Sequence, residues 1–344
     1  MTASTTHDRG PHSAKPWVLA TIVLALALVG GGVGVAVSWP RSSRSPSTSP
    51  TRSTTLPTPA VGSALACSPS STATPAPGTP VTFAATLGTV SATITGTEGA
   101  EDFNQYLTNP MINIRSGHST LVNAVLQVPA TAQGVQLSGL GAATSGQNIC
   151  VARFPGENTP AVLVAFFTGG AHCCSVLRAW SATQGAVPHD ENVGNGGVEA
   201  TTSLTGAEII TTDNDFYYSF TDYAASAAPV LVQTFRDARF VDVTDQHRDL
   251  VQADATALFD LYEGAQTPGA MSTNYVNGEG GLGDLAAWAG DECRLDVTGE
   301  PWSTLDSLQT MGQLTGPPGT SPTGQTFIDQ LRTFLSRHGF CTDH

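Results

Sequence analysis

The stretch 161-AVLVAFFTGGAHCCSVLRAW-180 decides the fold. Its first seven residues are rich in types that suit a pleated surface and lie between Pro160 and Gly169-Gly170. They read as a β-strand. The two glycines allow a sharp turn, and 173-CCSVLRAW-180 reads as the next strand. His172, Cys173 and Cys174 stand at the junction. Thiolate and imidazole are good zinc and copper ligands, so these three residues are a candidate metal site. Neighbouring side chains on a strand point in opposite directions, which keeps three consecutive residues from converging on one ion; a tight turn allows two. A Cys173–Cys174 bridge would be strained, since adjacent Cα atoms lie about 3.8 Å apart against a usual range of roughly 4.4–6.8 Å. Strained disulfides are the easily reduced ones. Turn, metal site and thiol-redox pair all remain open readings at this point.

The strand pattern extends both ways. It recurs in 81-VTFAATLGTVSATITG-96, 121-LVNAVLQV-128, 149-ICVARF-154, 206-GAEIITT-212, 216-FYYSF-220, 229-PVLVQTF-235 and 239-RFVDVT-244. Each run is short and bounded by Gly, Pro, Asn or Asp. The unit 153–180 is echoed at 203–223, some 47 residues later, a spacing that suits propeller blades. About three units fit, and a closed propeller needs about four or more. Residues 81–245 are therefore expected to form an incomplete propeller-like array or a sandwich of twisted antiparallel sheets.

Beyond residue 245 the apolar period becomes helical. Leu250, Val251, Leu258, Leu261 and Tyr262 fall near one face, as do Phe327, Ile328, Leu331, Phe334 and Leu335. Further helices are read at 285-LAAWAGDECRL-295 and from Pro301. Residues 246–344 thus form a small α-helical C-terminal unit. Cys293 and Cys341 lie on or beside two of these helices, and a bond between them would staple the unit. Cys67 and Cys150 form a second candidate pair, tying the chain's entry to the β region. Six cysteines allow fifteen connectivities, so other pairings stay open.

The N-terminal side has a different character. Residues 17–39 carry no charge and begin and end with tryptophan. Twenty-three residues can cross a hydrocarbon core of roughly 30 Å, and indoles favour its interfaces. The segment reads as an uncleaved transmembrane helix; the rival is a cleaved signal peptide, whose apolar core is usually shorter. Residues 1–16 become a cytoplasmic tail, and the plasma membrane a partner through residues 17–39. Residues 40–80 are Ser, Thr, Pro and small residues, a composition that cannot bury a core and reads as a disordered linker. All six cysteines lie after the apolar segment, as expected of a body in an oxidising compartment. The expected location is the cell membrane, single-pass, with the C-terminal body extracytoplasmic.

Charge removes one class of function. Residues 80–344 hold nine arginines against twenty-seven acids, a net charge near −18 within a chain total of −14. Such a surface repels phosphate backbones, so nucleic acid is excluded as a partner. The run 278-GEGGLG-283 matches G-x-G-x-x-G but lacks the βαβ surroundings of a dinucleotide site. Neither G-x-S-x-G nor H-E-x-x-H occurs. No cofactor is expected. Asp213 and Asp215, either side of Asn214, are a candidate weak cation site, although Asn and Asp also favour plain turns. His189-Asp190-Glu191 reads as a solvated polar loop.

TGGAHCC after an apolar strand resembles a group of uncharacterised bacterial extracytoplasmic proteins with propeller-repeat-like sequence of the FG-GAP or VCBS type and a GGAHCC motif. Residues 214–244, 285–295 and 327–340 resemble that group too, so the likeness runs over about residues 85–340. It implies a propeller-like fold outside the cytoplasm and brings no named activity. The group's Asp-rich loop is replaced here by 154-FPGENTP-160 and 204-LTGAE-208, which lack the carboxylates that calcium ligation needs. The combined expectation is a membrane-tethered binding or scaffold module of the cell envelope, taking an envelope protein or glycan. The alternatives are a thiol-redox or metal-binding protein centred on His172–Cys174, and an envelope hydrolase with unrecognised residues.

Overall fold

The computed structural model describes residues 63–69, 76–101, 104–129, 136–138, 140, 148–168, 175–183, 186–194, 197–266, 281–295, 300–316 and 322–341. The apolar segment 17–39, most of the linker and His172–Cys174 lie outside the described residues. Among those described, no helix is long and apolar enough to cross a membrane.

The chain enters with β1 (Leu65–Cys67), which the sequence reading left inside the linker. It pairs antiparallel with β7 (Cys150–Ala152), Cys67 opposite Cys150, and the two sulfurs are bonded. The reason is the unpaired edge of β7: a short strand covers it, and Leu65 and Cys67 pack on the core beneath. β2 (Pro80–Leu87), β3 (Val90–Glu101), β4 (Asn104–Ser116) and β5 (Ser119–Val125) form a four-stranded antiparallel meander. Two-residue turns join β2 to β3 and β4 to β5. The second sheet runs β1-β7-β8-β9-β10, with β8 at Ala161–Phe167, β9 at Ser175–Ser181 and β10 at His189–Gly194; β6 (Gln136–Ser138) also pairs with β8. The third runs β11 (Glu199–Thr202), β12 (Ala207–Thr212), β13 (Val230–Arg236), β14 (Arg239–Asp242). The fold is mainly β, built of antiparallel sheets, and does not close into a propeller.

The sheets stack face to face, and β8 shows why. Val162, Val164 and Phe166 point to one side, against Ile94, Ile112 and Ile114 of the first sheet. Ala161, Leu163 and Ala165 point to the other, against Ala207, Ile209 and Phe235 of the third. The period-2 alternation divides one apolar run between two cores. The third sheet turns Val230 and Val232 away from the second and towards four helices. These are α1 (Arg248–Ala265), α2 (Leu282–Arg294), α3 (Glu300–Thr310) and α4 (Gly324–Arg337). α2 is buried from Leu282 to Glu292. A Cβ on Gly283 would sit 2.1 Å from the Ala225 carbonyl oxygen, so this glycine serves close packing. The bond between Cys293 and Cys341 ties α2 to the residues after α4.

Two further segments differ from the sequence reading. Residues 216–220 are not a strand: Asn214–Phe216 is a 3-10 turn, and Phe216 and Phe220 both turn inwards against Phe334 of α4, at 4.9 and 5.1 Å between ring centroids. Their alternation with Tyr218 mimicked a β period, but burial four residues apart follows a helical turn. His189-Asp190-Glu191 is not a loop but the start of β10. Asp190 accepts from Arg178 Nε at 2.5 Å and Nη2 at 2.6 Å, while Arg178 Nη1 donates to the Gln127 carbonyl after β5. This arginine, stacked near Phe166 and Trp180, pins the first sheet to the second.

Candidate functional site

Where β10 leaves the second sheet beside β12 and β13 of the third, the packing opens into a cleft of about 280 Å³. Glu191, Asn192 and Val193 line it from β10, Leu231 and Gln233 from β13, and Thr212 to Asp215 from the end of β12. The local sequence makes it open there. Gly194, with φ +62°, ends β10, and a Cβ on it would lie 1.9 Å from Asn214 Oδ1; the chain turns tightly around the Asn214 side chain. Asp213 caps the 3-10 turn, its Oδ1 accepting from the Asp215 amide at 3.0 Å.

The polar groups of the cleft are mostly acceptors. Asp213, Asp215 and Glu191 bring carboxylates. Asp215 Oδ2 lies 3.0 Å from His338 Nδ1, and Glu191 lies 3.8 Å from His189. Burial pushes the Asp213 carboxyl above the usual range, with the Asp215 charge adding to the rise, while its hydrogen bond and Arg294 and His338 act against it. Gln233 is 95% buried at the cleft, given its 5% exposure, and its Oε1 has no hydrogen-bond partner among the described residues. A buried carbonyl left unpaired costs about 1–3 kcal/mol.

Asp213 and Asp215, the two candidates from the sequence, are thus brought to one cleft; their turn chemistry and their acidity coexist. Glu191 and Gln233 were missed. Gln233 had a signal, a lone amide inside the apolar run 229-PVLVQTF-235; Glu191 had none, because its neighbour across the cleft comes from another sheet. Among the described residues no three His, Cys, Asp or Glu side chains are grouped to hold a metal, so zinc-type chelation is not built here. The other candidate set, His172, Cys173 and Cys174, lies outside the described residues.

A probable thylakoid lumen protein of Synechocystis sp. strain PCC 6803 is 30% identical to this chain over 138 residues. That match takes in 37% of this chain and 41% of the relative, so the chain spans about two fifths of the protein it resembles. No family model matches the sequence, and no solved structure matches it.

A second group of acids lies inside the helical unit. Asp254 of α1 accepts from the Val230 amide at 2.8 Å and faces Asp291 of α2. Asp291 has no exposed surface. Its burial, with the Asp254 charge second, pushes its carboxyl up to about 10, and burial alone pushes Asp284 up to about 7. Paired carboxyls with separated protonation can do acid–base chemistry when substrate reaches them. Asp291 is sealed from solvent against Asp254 of α1, so the pair acts on packing rather than on a ligand.

Proposed function

We propose that this protein is a membrane-tethered, extracytoplasmic binding module of the cell envelope, with the cleft between β10 and β12–β13 as its ligand site. The observation that carries the reading is Gln233: a buried amide oxygen without a partner among the described residues, on the wall of an acidic cleft, supports a recognition role. The apolar segment 17–39 supports the tether, and the low-complexity stretch after it supplies reach. The two disulfides and a relative in a lumen support a body outside the cytoplasm.

Two measurements test this. Membrane-impermeant protease applied to intact cells should digest the body and leave the N-terminal end protected; a protected, reduced body would defeat the envelope location. Full-length protein immobilised in detergent should retain envelope material that Asp213→Asn and Gln233→Leu proteins do not. Equal retention by all three would remove the cleft as the ligand site.

A further inference from the structure

Resting on that reading, we propose that the cleft receives a protonated amine or guanidinium group. The chemistry of its wall selects this class. Glu191, Asp213 and Asp215 supply carboxylates, and Gln233 Oε1 is an acceptor without a partner among the described residues. A ligand that satisfies these groups must bring N–H donors and positive charge together.

A bare metal ion fits less well. It requires several oxygens within about 2.5 Å of one point, and no three acidic or imidazole side chains are so grouped among the described residues. The acceptors are instead distributed around a cleft of about 280 Å³, near the lower end of the range for small-molecule sites. A guanidinium spreads five N–H donors over a plane and reaches dispersed acceptors that a single ion cannot. Val193 and Leu231 give the methylene stem of such a ligand an apolar wall. The body charge near −18 draws cations towards the cleft from a distance. The basic side chains already present, His189, His338 and Arg294, sit around the acids. None of them bonds Gln233 Oε1, and because that oxygen is itself buried, a ligand reaches it through a shift of the Gln233 side chain.

The test is calorimetric titration of the full chain in detergent with N-acetyl-arginine amide, its neutral citrulline analogue and calcium chloride. A single capped residue should bind with a dissociation constant of roughly 1 mM. Citrulline should bind at least tenfold more weakly. Asp213→Asn and Gln233→Leu should each weaken the arginine probe about fivefold or more. Gln233→Leu should leave the unliganded melting temperature unchanged or raised, because it removes an unpaired buried carbonyl; a merely structural glutamine would lower it and leave binding alone. Equal binding of arginine and citrulline overturns the proposal. So does calcium binding that the two variants abolish while arginine binding persists. Absence of arginine binding beside cleft-dependent retention of envelope material overturns this inference and leaves the binding module standing.

Discussion

At about pH 8, Asp291→Asn should stabilise the protein, and at about pH 4.5 it should do much less. Asp291 is fully buried and faces Asp254, which already accepts a hydrogen bond from Val230. Burial first, and the Asp254 charge second, raise the Asp291 carboxyl to about 10. An unfolded aspartic acid titrates near 3.9. Between these values the native state holds a proton that the unfolded chain releases. Stability from this group is therefore fully present below about pH 4 and falls as pH rises towards 10. Each pH unit of that window costs at most about 1.4 kcal/mol, so about 5 kcal/mol is the limit between pH 4.5 and 8. Water entry and coupling to Asp254 lower it, and about 2–3 kcal/mol is expected. Asp284, raised to about 7 by burial, adds a parallel decline ending near neutrality. Asp242 works in the opposite direction. Burial acts to raise it, but hydrogen bonds from Thr244 and the Arg294 charge outweigh burial and hold it low, so its contribution is lost as pH falls. An asparagine at 291 carries no titrating proton and can still donate an N–H to Asp254. The assay is urea unfolding of both proteins at the two pH values, followed by tryptophan fluorescence. A stability difference between the proteins that is the same within about 0.5 kcal/mol at both pH values would refute the buried, protonated state of Asp291.

Three further variants probe the scaffold. Asp237 and Ala238, with φ +52° and +59°, form the turn between β13 and β14; Ala238→Gly should stabilise by about 0.5–1 kcal/mol in thermal unfolding, since alanine is strained there. Replacing both Cys293 and Cys341 by alanine opens a 48-residue loop and should cost about 4 kcal/mol on loop-entropy grounds, read as a lower urea midpoint with the fold retained. Phe166→Ala, at the centre of the core between the first two sheets, should cost about 3–5 kcal/mol and show as a lower melting temperature.

The β character and the helical tail were legible because both rest on local pattern. The alternation in Val90, Ala92 and Ile94 and the stripe of Phe327, Ile328, Leu331 and Leu335 each predict the face that the structure buries. Residues 216–220 misled because aromatic alternation serves equally for a strand and for a turn whose first and fifth residues are buried. β1 was hidden because three residues carry no period, and their pairing depends on an edge 83 residues away. The candidate site was half legible. Asp213 and Asp215 are neighbours in sequence, whereas Glu191 and Gln233 join them through the packing of one sheet on another, which no local pattern records.

After β1, which joins the second sheet, the order of the layers follows the order of the chain: first sheet, second, third, helices. Each layer leaves an apolar face that the next segment to be synthesised covers. Growth from the N-terminus can then proceed by accretion, with Cys67 waiting only for Cys150 to lock the second sheet. The last open face belongs to the third sheet, where Ile210, Val230 and Val232 would meet water until α1 to α4 arrive. A chain stopped before residue 248 would leave that apolar face uncovered, so the helical tail is the lid that completes the stack of layers.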